Sequence, residues 1–324
     1  MIRSFVVDKD RLRAGDGLGE DPNAVVWVDL LKPTAPEEDL IETWLGIDVP
    51  TREEMEEIEI SSRLYVEDGA VFMTATLPAH TDDDAPFMSP VTFVLAGTRL
   101  VTIRYHEPRA FETFPARAQK AATGCTTSET ILMGLLDAIV DRLADVLERA
   151  GRDVDQISRD IFQTKAIKPT KRDRDFQALL KTIGRKEDLT SHIRDSLMTL
   201  QRLSGFLGNA LASEKNGKDT RARVKTLSRD ITSLSDHAAF MSHKITFLLD
   251  ATLGMINIEQ NAIIKIFSVA AVVFLPPTLV ASIYGMNFDL MPELKWTLGY
   301  PFALLLMVLS AALPYLYFKR RGWL

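Results

Sequence analysis

The chain has 324 residues, a formal net charge of −6 and a single cysteine, Cys125. One cysteine excludes a disulfide framework and fits a reducing compartment; an acidic balance argues against nucleic acid as a partner. The acidity is uneven: residues 262–324 hold five Lys or Arg against two acids, a net +3, so the first 261 residues carry −9. That charge is compatible with gathering cations and equally with plain solubility.

The N-terminal stretch meets a charge at Asp8 after Phe5-Val6-Val7, so it does not read as a signal peptide. Membrane insertion is then expected to be directed from the C-terminal end. Residues 1–120 read as a cytosolic domain of mixed helices and strands, an α+β class. Ala24–Leu30 is strand-like, and the acid-rich run after Pro36 looks like the first turn of a helix. Arg63–Glu67 and Ala70–Thr76 flank Asp68-Gly69, a strong hairpin signal. Val91–Leu95 and Leu100–Arg104 flank a Gly97-containing turn in the same way.

From Ser128 the period changes, and residues 121–260 read as long helices. Leu132, Leu136, Ile139, Leu143, Val146, Ala150, Val154, Ile157 and Ile161 recur at alternating steps of four and three, a heptad pattern of a helix in a coiled bundle. Pro169 interrupts it, and a second helix is expected over Phe176–Leu211. In a third, Val224, Leu227, Ile231, Leu234, Ala238, Met241, Ile245 and Leu248 keep the spacing, with no turn signal before the next apolar run. One helix of about 60 residues is therefore expected to run on as a stalk; a lone glycine such as Gly254 weakens a helix by only ~1 kcal/mol.

Residues 261–324 read as a transmembrane hairpin. Ile266–Ile283 is 18 residues without a charge and Thr297–Phe318 is 22. A bilayer core ~30 Å thick is crossed by about 20 apolar residues. Lys265 opens the first run, and Lys319, Arg320 and Arg321 close the second. Cationic flanks stay in the cytoplasm, which puts both termini inside and the connecting loop outside. In that loop Asp289 and Glu293 are placed to gather cations at an entrance.

In the first span Asn261, Ile264, Ser268, Ala271, Leu275, Thr278 and Ser282 fall on one line, at steps of three and four, and carry its hydroxyls and carboxamide. Polar groups at membrane depth face protein or water. The line is either a helix-packing seam or the wall of a pore, and one stripe encloses a hole only if rotational symmetry repeats it. The turn Gly285-Met286-Asn287 at its outer end favours the pore. Gly285 offers backbone freedom, and Asn287 offers neutral oxygens. Mg²⁺ sheds water reluctantly, so a ring of such oxygens would hold the waters of a hydrated ion. No carboxylate lies in the span to bind the ion directly.

Tyr284-Gly285-Met286-Asn287-Phe288 with Met291–Trp296 resembles the signature loop of the CorA family of magnesium channels. The resemblance takes in Asn257–Asn261, Phe274–Thr278, Gly299–Pro301 and Tyr317–Leu324, and extends more loosely over the whole chain. It implies a homopentameric, funnel-shaped Mg²⁺ influx channel of the bacterial inner (plasma) membrane, also passing Co²⁺ and Ni²⁺. A selectivity ring falls on Gly285, Met286 and Asn287, a polar ring on Thr278 and another, at the cytosolic mouth, on Asn261. A hydrophobic constriction falls on Ile264, Phe267, Ser268 and Leu275, where Ser268 departs from an apolar gate. Closure by cytosolic Mg²⁺ is implied at acidic sites between protomers, one falling on Asp250, with a looser partner in the loop holding Asp82, Asp83 and Asp84. Three adjacent aspartates also fit a solvated turn.

A zinc transporter of the same superfamily, possibly coupled to protons, is the alternative. Zn²⁺ prefers nitrogen and sulfur ligands, and the five histidines (His80, His106, His192, His237, His243) and Cys125 lie outside the pore run. A membrane-tethered enzyme would need His106 or Cys125 as its reactive group. Phosphate-binding, dinucleotide, zinc-ligand and nucleophile-elbow motifs are missing, so no catalytic residue and no organic cofactor are expected. A plain coiled-coil scaffold would account for the heptads but leave the Gly-Met-Asn turn without a purpose.

Overall fold

The computed structural model describes residues 1–15, 17–18, 22–82, 86–120, 123–162, 169–211, 218–287 and 291–323; for 169–175, 218, 293 and 294 it describes only the backbone. The chain divides into two compact units, Met1–Leu249 and Asp250–Leu324.

The first unit begins with strands β1 (Ile2–Asp8), β2 (Arg11–Gly15) and β3 (Val25–Leu31). Helices α1 (Ala35–Leu45), α2 (Arg52–Glu56) and α3 (Ile60–Arg63) follow, then β4 (Leu64–Glu67), β5 (Ala70–Ala79), β6 (Phe87–Ala96) and β7 (Arg99–Arg104). The strands form one sheet in the order β2-β1-β3-β7-β6-β5-β4. Only β3 and β7 run parallel, because the three helices and two hairpins between them form the long crossover that parallel pairing needs. Asp68-Gly69 makes the β4–β5 turn, both residues left-handed at φ 49° and 79°. Thr51 and Glu54 cap α2 reciprocally, each side chain taking the other's backbone N–H. The β1–β2 hairpin was not expected. Its turn is Lys9-Asp10, at φ 48° and 62°, and lysine in a left-handed turn is a weak signal beside Asn-Gly or Asp-Gly.

Both faces of the sheet are covered. On one, Val28, Leu30, Phe72, Val94, Val101 and Ile103 pack with Ile41 of α1 and Met55 of α2. On the other, Trp27 stacks on Phe5 at 4.4 Å and meets Phe114 at 5.9 Å, while Phe93 meets Phe111 at 6.3 Å; both partner phenylalanines come from α4 (Ala110–Lys120). Within this aromatic layer lies a charge pair. Asp29 Oδ1 accepts from Arg104 Nε at 2.9 Å, and Oδ2 accepts from Nη2 at 2.7 Å. Both side chains are 2 % exposed. Thr102 donates to Asp29 Oδ1, Trp27 Nε1 donates to Thr102, and Arg104 Nη1 donates to the His106 carbonyl. The parallel register puts Asp29 opposite Thr102, so the polar network locks a pairing that no tight turn enforces.

Three long helices complete the unit: α5 (Ser128–Phe162), α6 (Pro169–Ala210) and α7 (Lys218–Tyr284), the last of which continues into the second unit. All nine heptad positions from Leu132 to Ile161 are buried. Pro169, expected to interrupt the heptad helix, is the first described residue of α6, while α5 ends at Phe162. Cross-helix pairs give the directions. Asp137 of α5 meets Arg223 of α7 at 2.8 Å, and Asp155 meets Lys244, so α5 and α7 run parallel. Ser242 of α7 donates to Glu187 of α6, and Gln201 of α6 to Thr232 of α7, so α6 runs against both. α7 is one helix of 67 residues, uninterrupted at Gly254.

Replacing Asp29 with leucine strands Arg104 as a buried, unpaired charge and is expected to cost ~3–5 kcal/mol of stability. The double variant Asp29→Leu/Arg104→Met should regain most of that loss. Unfolding followed through the fluorescence of buried Trp27 measures both, and a double variant as unstable as the single one would refute the assignment.

Candidate ion pathway

In the second unit, α7 leads through the first apolar run to Tyr284, and α8 (Gly299–Arg320) returns after a 3₁₀ turn at Pro292–Lys295. Both helices are long and apolar enough to cross a bilayer. Their large side chains are exposed in the single chain, Phe267 by 71 %, Phe274 by 70 % and Val308 by 64 %. Such surface is untenable in water and ordinary in lipid or an assembly.

Each helix buries only a narrow line. On α7 it comprises Val269, buried, with Val273, Pro276, Pro277, Val280 and Tyr284 half-buried. On α8 it includes Gly299 and Ala303, buried, with Met307, Ser310 and Pro314 half-buried. Each helix of the hairpin is the other's cover, so these lines face each other, and small residues permit the close approach. The polar line Asn261, Ile264, Ser268, Ala271, Leu275, Thr278 and Ser282 is exposed at every position. At 3.6 residues per turn its centre lies roughly 165° round α7 from the buried line. The polar face thus points directly away from the hairpin's own packing, which removes the packing-seam explanation within one chain.

Thr278 Oγ1 donates to the Phe274 carbonyl at 2.7 Å. With its hydrogen committed to the backbone, the hydroxyl has lone pairs left to accept from water. Pro276 and Pro277 lack N–H groups, which frees the carbonyls of Val272 and Val273 one turn earlier.

At its C-terminal end α7 tightens: Gly285 N–H bonds the Ala281 carbonyl at 3.0 Å and Met286 N–H the Ile283 carbonyl at 3.2 Å. Gly285 was expected to use glycine's conformational freedom, yet its φ lies outside the left-handed region. A Cβ there would crowd the Ala281 oxygen at 3.1 Å. Met286 and Asn287 follow, both exposed. Asp289 lies outside the described residues, as does the side chain of Glu293.

Of the acidic residues expected in regulation, Asp250 is exposed on α7, 11 residues before Asn261, a helical rise of ~16 Å. Asp83 and Asp84 lie outside the described residues. Asp82 occupies the β5–β6 loop and is encircled by arginines. Arg109 and Arg142 reach Oδ2 at 2.8 Å each, and Arg149 reaches Oδ1. Hydrogen bonds from Arg149 and then Arg142 outweigh partial burial and hold its carboxyl down at about 2. A divalent cation at Asp82 would meet three guanidinium groups, which argues against the metal reading and makes Asp82 a tie from the sheet to α5. The sequence carried a signal for this: Arg142 and Arg149 stand one heptad apart on α5. Among the described residues no cluster of three or more His, Cys, Asp or Glu is arranged to hold a metal within one chain.

Comparison with known proteins agrees with this layout. A family described as CorA-like Mg²⁺ transporter protein matches residues 22–320. The magnesium transport protein CorA of Haemophilus influenzae is 37 % identical over 324 residues, covering 100 % of both chains. The complete structure of the CorA magnesium transporter of Methanocaldococcus jannaschii aligns over 100 % of this chain and 99 % of its own, with a TM-score of 0.76 at 18 % identity. The cytoplasmic domain of ZntB from Vibrio parahaemolyticus aligns over 79 % of this chain and 97 % of its own, with a TM-score of 0.57 at 11 % identity, a likeness of fold alone. With the family match over nearly the whole chain and full-length identity above one third, this chain belongs to the CorA family.

Proposed function

We propose that this chain forms a homopentameric channel for Mg²⁺ entry across a bacterial inner membrane, with both termini cytoplasmic and the Gly-Met-Asn turn outside. The observation that carries the reading is the polar face of α7, set opposite the hairpin's packing line and ending at Asn287, in a chain 37 % identical along its full length to a magnesium transport protein. A face that its own hairpin leaves bare needs a water-filled lumen, and symmetry around an axis supplies one.

Gly285, Met286 and Asn287 act as the selectivity ring. The Asn287 oxygens bind the water shell of the ion, and Gly285 lets the last turn of α7 close tightly enough to present them. Thr278, nine residues earlier and ~13.5 Å deeper, is a second station whose backbone-bonded hydroxyl accepts from the same shell. Ser282 lies between them. Several weak stations let a hydrated ion enter and leave, where one tight site would hold it. Ile264, Ser268 and Leu275 line the narrower inner stretch, with Asn261 at the cytosolic mouth. Asp289 and Glu293 gather cations outside. Co²⁺ and Ni²⁺, which keep a similar hydration shell, pass by the same route. Zn²⁺ transport finds less support, because the spans carry neither histidine nor cysteine.

Closure uses Asp250. Cytosolic Mg²⁺ bound between protomers at these carboxylates favours the closed assembly, and the ion shifts that equilibrium only by its tighter binding to one state.

Replacing Asn287 with alanine removes the oxygen ring and adds no bulk. Mg²⁺ uptake into liposomes should fall at least ~10-fold, equivalent to ~1.4 kcal/mol in the barrier, with the pentamer intact on size exclusion. Normal uptake by a correctly inserted variant would reject the selectivity ring.

Asp250→Asn should raise the cytosolic Mg²⁺ concentration that silences the current by roughly 5- to 100-fold, the span of ordinary coupling energies. Patch recordings with Mg²⁺ varied on the cytosolic face measure this. An unchanged inhibition curve would remove Asp250 from the closing mechanism.

A further inference from the structure

The base of the hairpin gathers four cations. Lys265 starts the apolar run of α7, and Lys319, Arg320 and Arg321 end α8. Their side chains are exposed, and among the described residues none of the four has a carboxylate within ion-pair distance. Two of them lie against aromatic rings instead. Lys265 Nζ lies 5.7 Å from the Trp323 ring centre, and the Arg321 guanidinium lies 5.4 Å from that of Tyr317. Trp323 stacks on Phe318 at 5.2 Å, and Phe318 meets Tyr317 edge-on at 5.5 Å. The chain end therefore folds back so that a residue of α7 and the tail of α8 share one aromatic cluster.

Cation–π contacts position charge but do not cancel it. The partial charge at the C-terminus of α8, about −0.5, offsets only a fraction of the three cations there. The remainder is open to an external anion, and the depth of the cluster points to which. Apolar spans of 18 and 22 residues begin and end beside it, so it lies at the level of the lipid headgroups. Tyrosine and tryptophan favour that same layer. Phosphodiesters are the anions concentrated there, and arginine's fork binds phosphate oxygens in pairs.

We propose that Lys265 and Arg321, seated on Trp323 and Tyr317, form with the neighbouring Lys319 and Arg320 a binding site for the phosphodiester of an anionic glycerophospholipid of the inner leaflet, such as phosphatidylglycerol. The bound headgroup pins the base of α7 to the end of α8 and thereby fixes the inner end of the polar face. The proposal rests on the membrane placement of the hairpin given above.

The test uses the full-length protein in phosphatidylcholine nanodiscs, in the same discs with part of that lipid replaced by phosphatidylglycerol, and in phosphatidylcholine discs with free inorganic phosphate. Phosphatidylglycerol should raise the thermal midpoint by ~4 °C or more, whereas phosphatidylcholine alone and free phosphate should not. Lys319→Gln/Arg320→Gln keeps Lys265 and Arg321 to orient the hairpin and should lose at least half of the rise. Trp323→Leu, which removes the ring beneath Lys265, should lose part of it. Equal midpoints in the two lipids, a rise reproduced by free phosphate, or a full rise in the double variant would each overturn the site. Protease access to the tail and Mg²⁺ uptake, measured on the same samples, separate the two ideas. A cytosolic tail and normal uptake without a lipid response reject only the lipid site, whereas a tail on the outside rejects the membrane placement too.

Discussion

A polar side chain at membrane depth must face protein or water, and the second unit is organised by that requirement. Its two helices cover each other along lines of valine, proline, glycine and alanine, which leaves one helix with a hydroxyl- and amide-bearing face opposite its partner. A single chain offers that face nothing. A packing seam within one chain would lie against α8. In the proposed channel, repetition about an axis would turn seven exposed positions per chain into a lined passage, and the Gly-Met-Asn turn would close its outer end with neutral oxygens. Those oxygens suit an ion that is too costly to dehydrate.

The first unit is built differently, with long helices packed on a sheet whose strands are tied by charge. Its sheet is locked at the β3–β7 junction by the buried Asp29–Arg104 pair. Asp82 then ties the loop beyond β5 to two arginines of α5 and to Arg109. Charge pairs at both levels of α5 fix its register against α7. α7 belongs to both units, so a rigid first unit is a natural place from which to bias the closed state that Asp250 is proposed to sense.

Much of this was legible in the sequence, because long periodic helices and uncharged spans are strong signals. The heptads of α5 and α7 and the Asp68-Gly69 turn need only local chemistry. Features set by distant partners were harder to read. The Lys9-Asp10 turn has no characteristic residue pair and is held by the pairing of β1 with β3. Asp82, in a run of three acids, looked like a cation site until folding brought in Arg109, Arg142 and Arg149 from 27, 60 and 67 residues away. Gly285 was expected to use its torsional freedom, which the structure does not require; a Cβ there would instead crowd the Ala281 carbonyl at 3.1 Å. The Lys265–Trp323 contact joins residues 58 apart in sequence, and no local pattern announces it.

The account depends most on which face of α7 meets the ion. Cys125 is the lone cysteine and is buried, so a Cys125→Ser background allows single cysteines to be placed along the helix. A charged, membrane-impermeant thiol reagent applied during Mg²⁺ uptake into liposomes then reports the face directly. The account predicts block at positions 271, 275, 278 and 282 and none at 273 or 280, on the line covered by α8. Block at 273 or 280 equal to that at 275 or 278 would show that the polar face does not line the pathway, and would contradict the account.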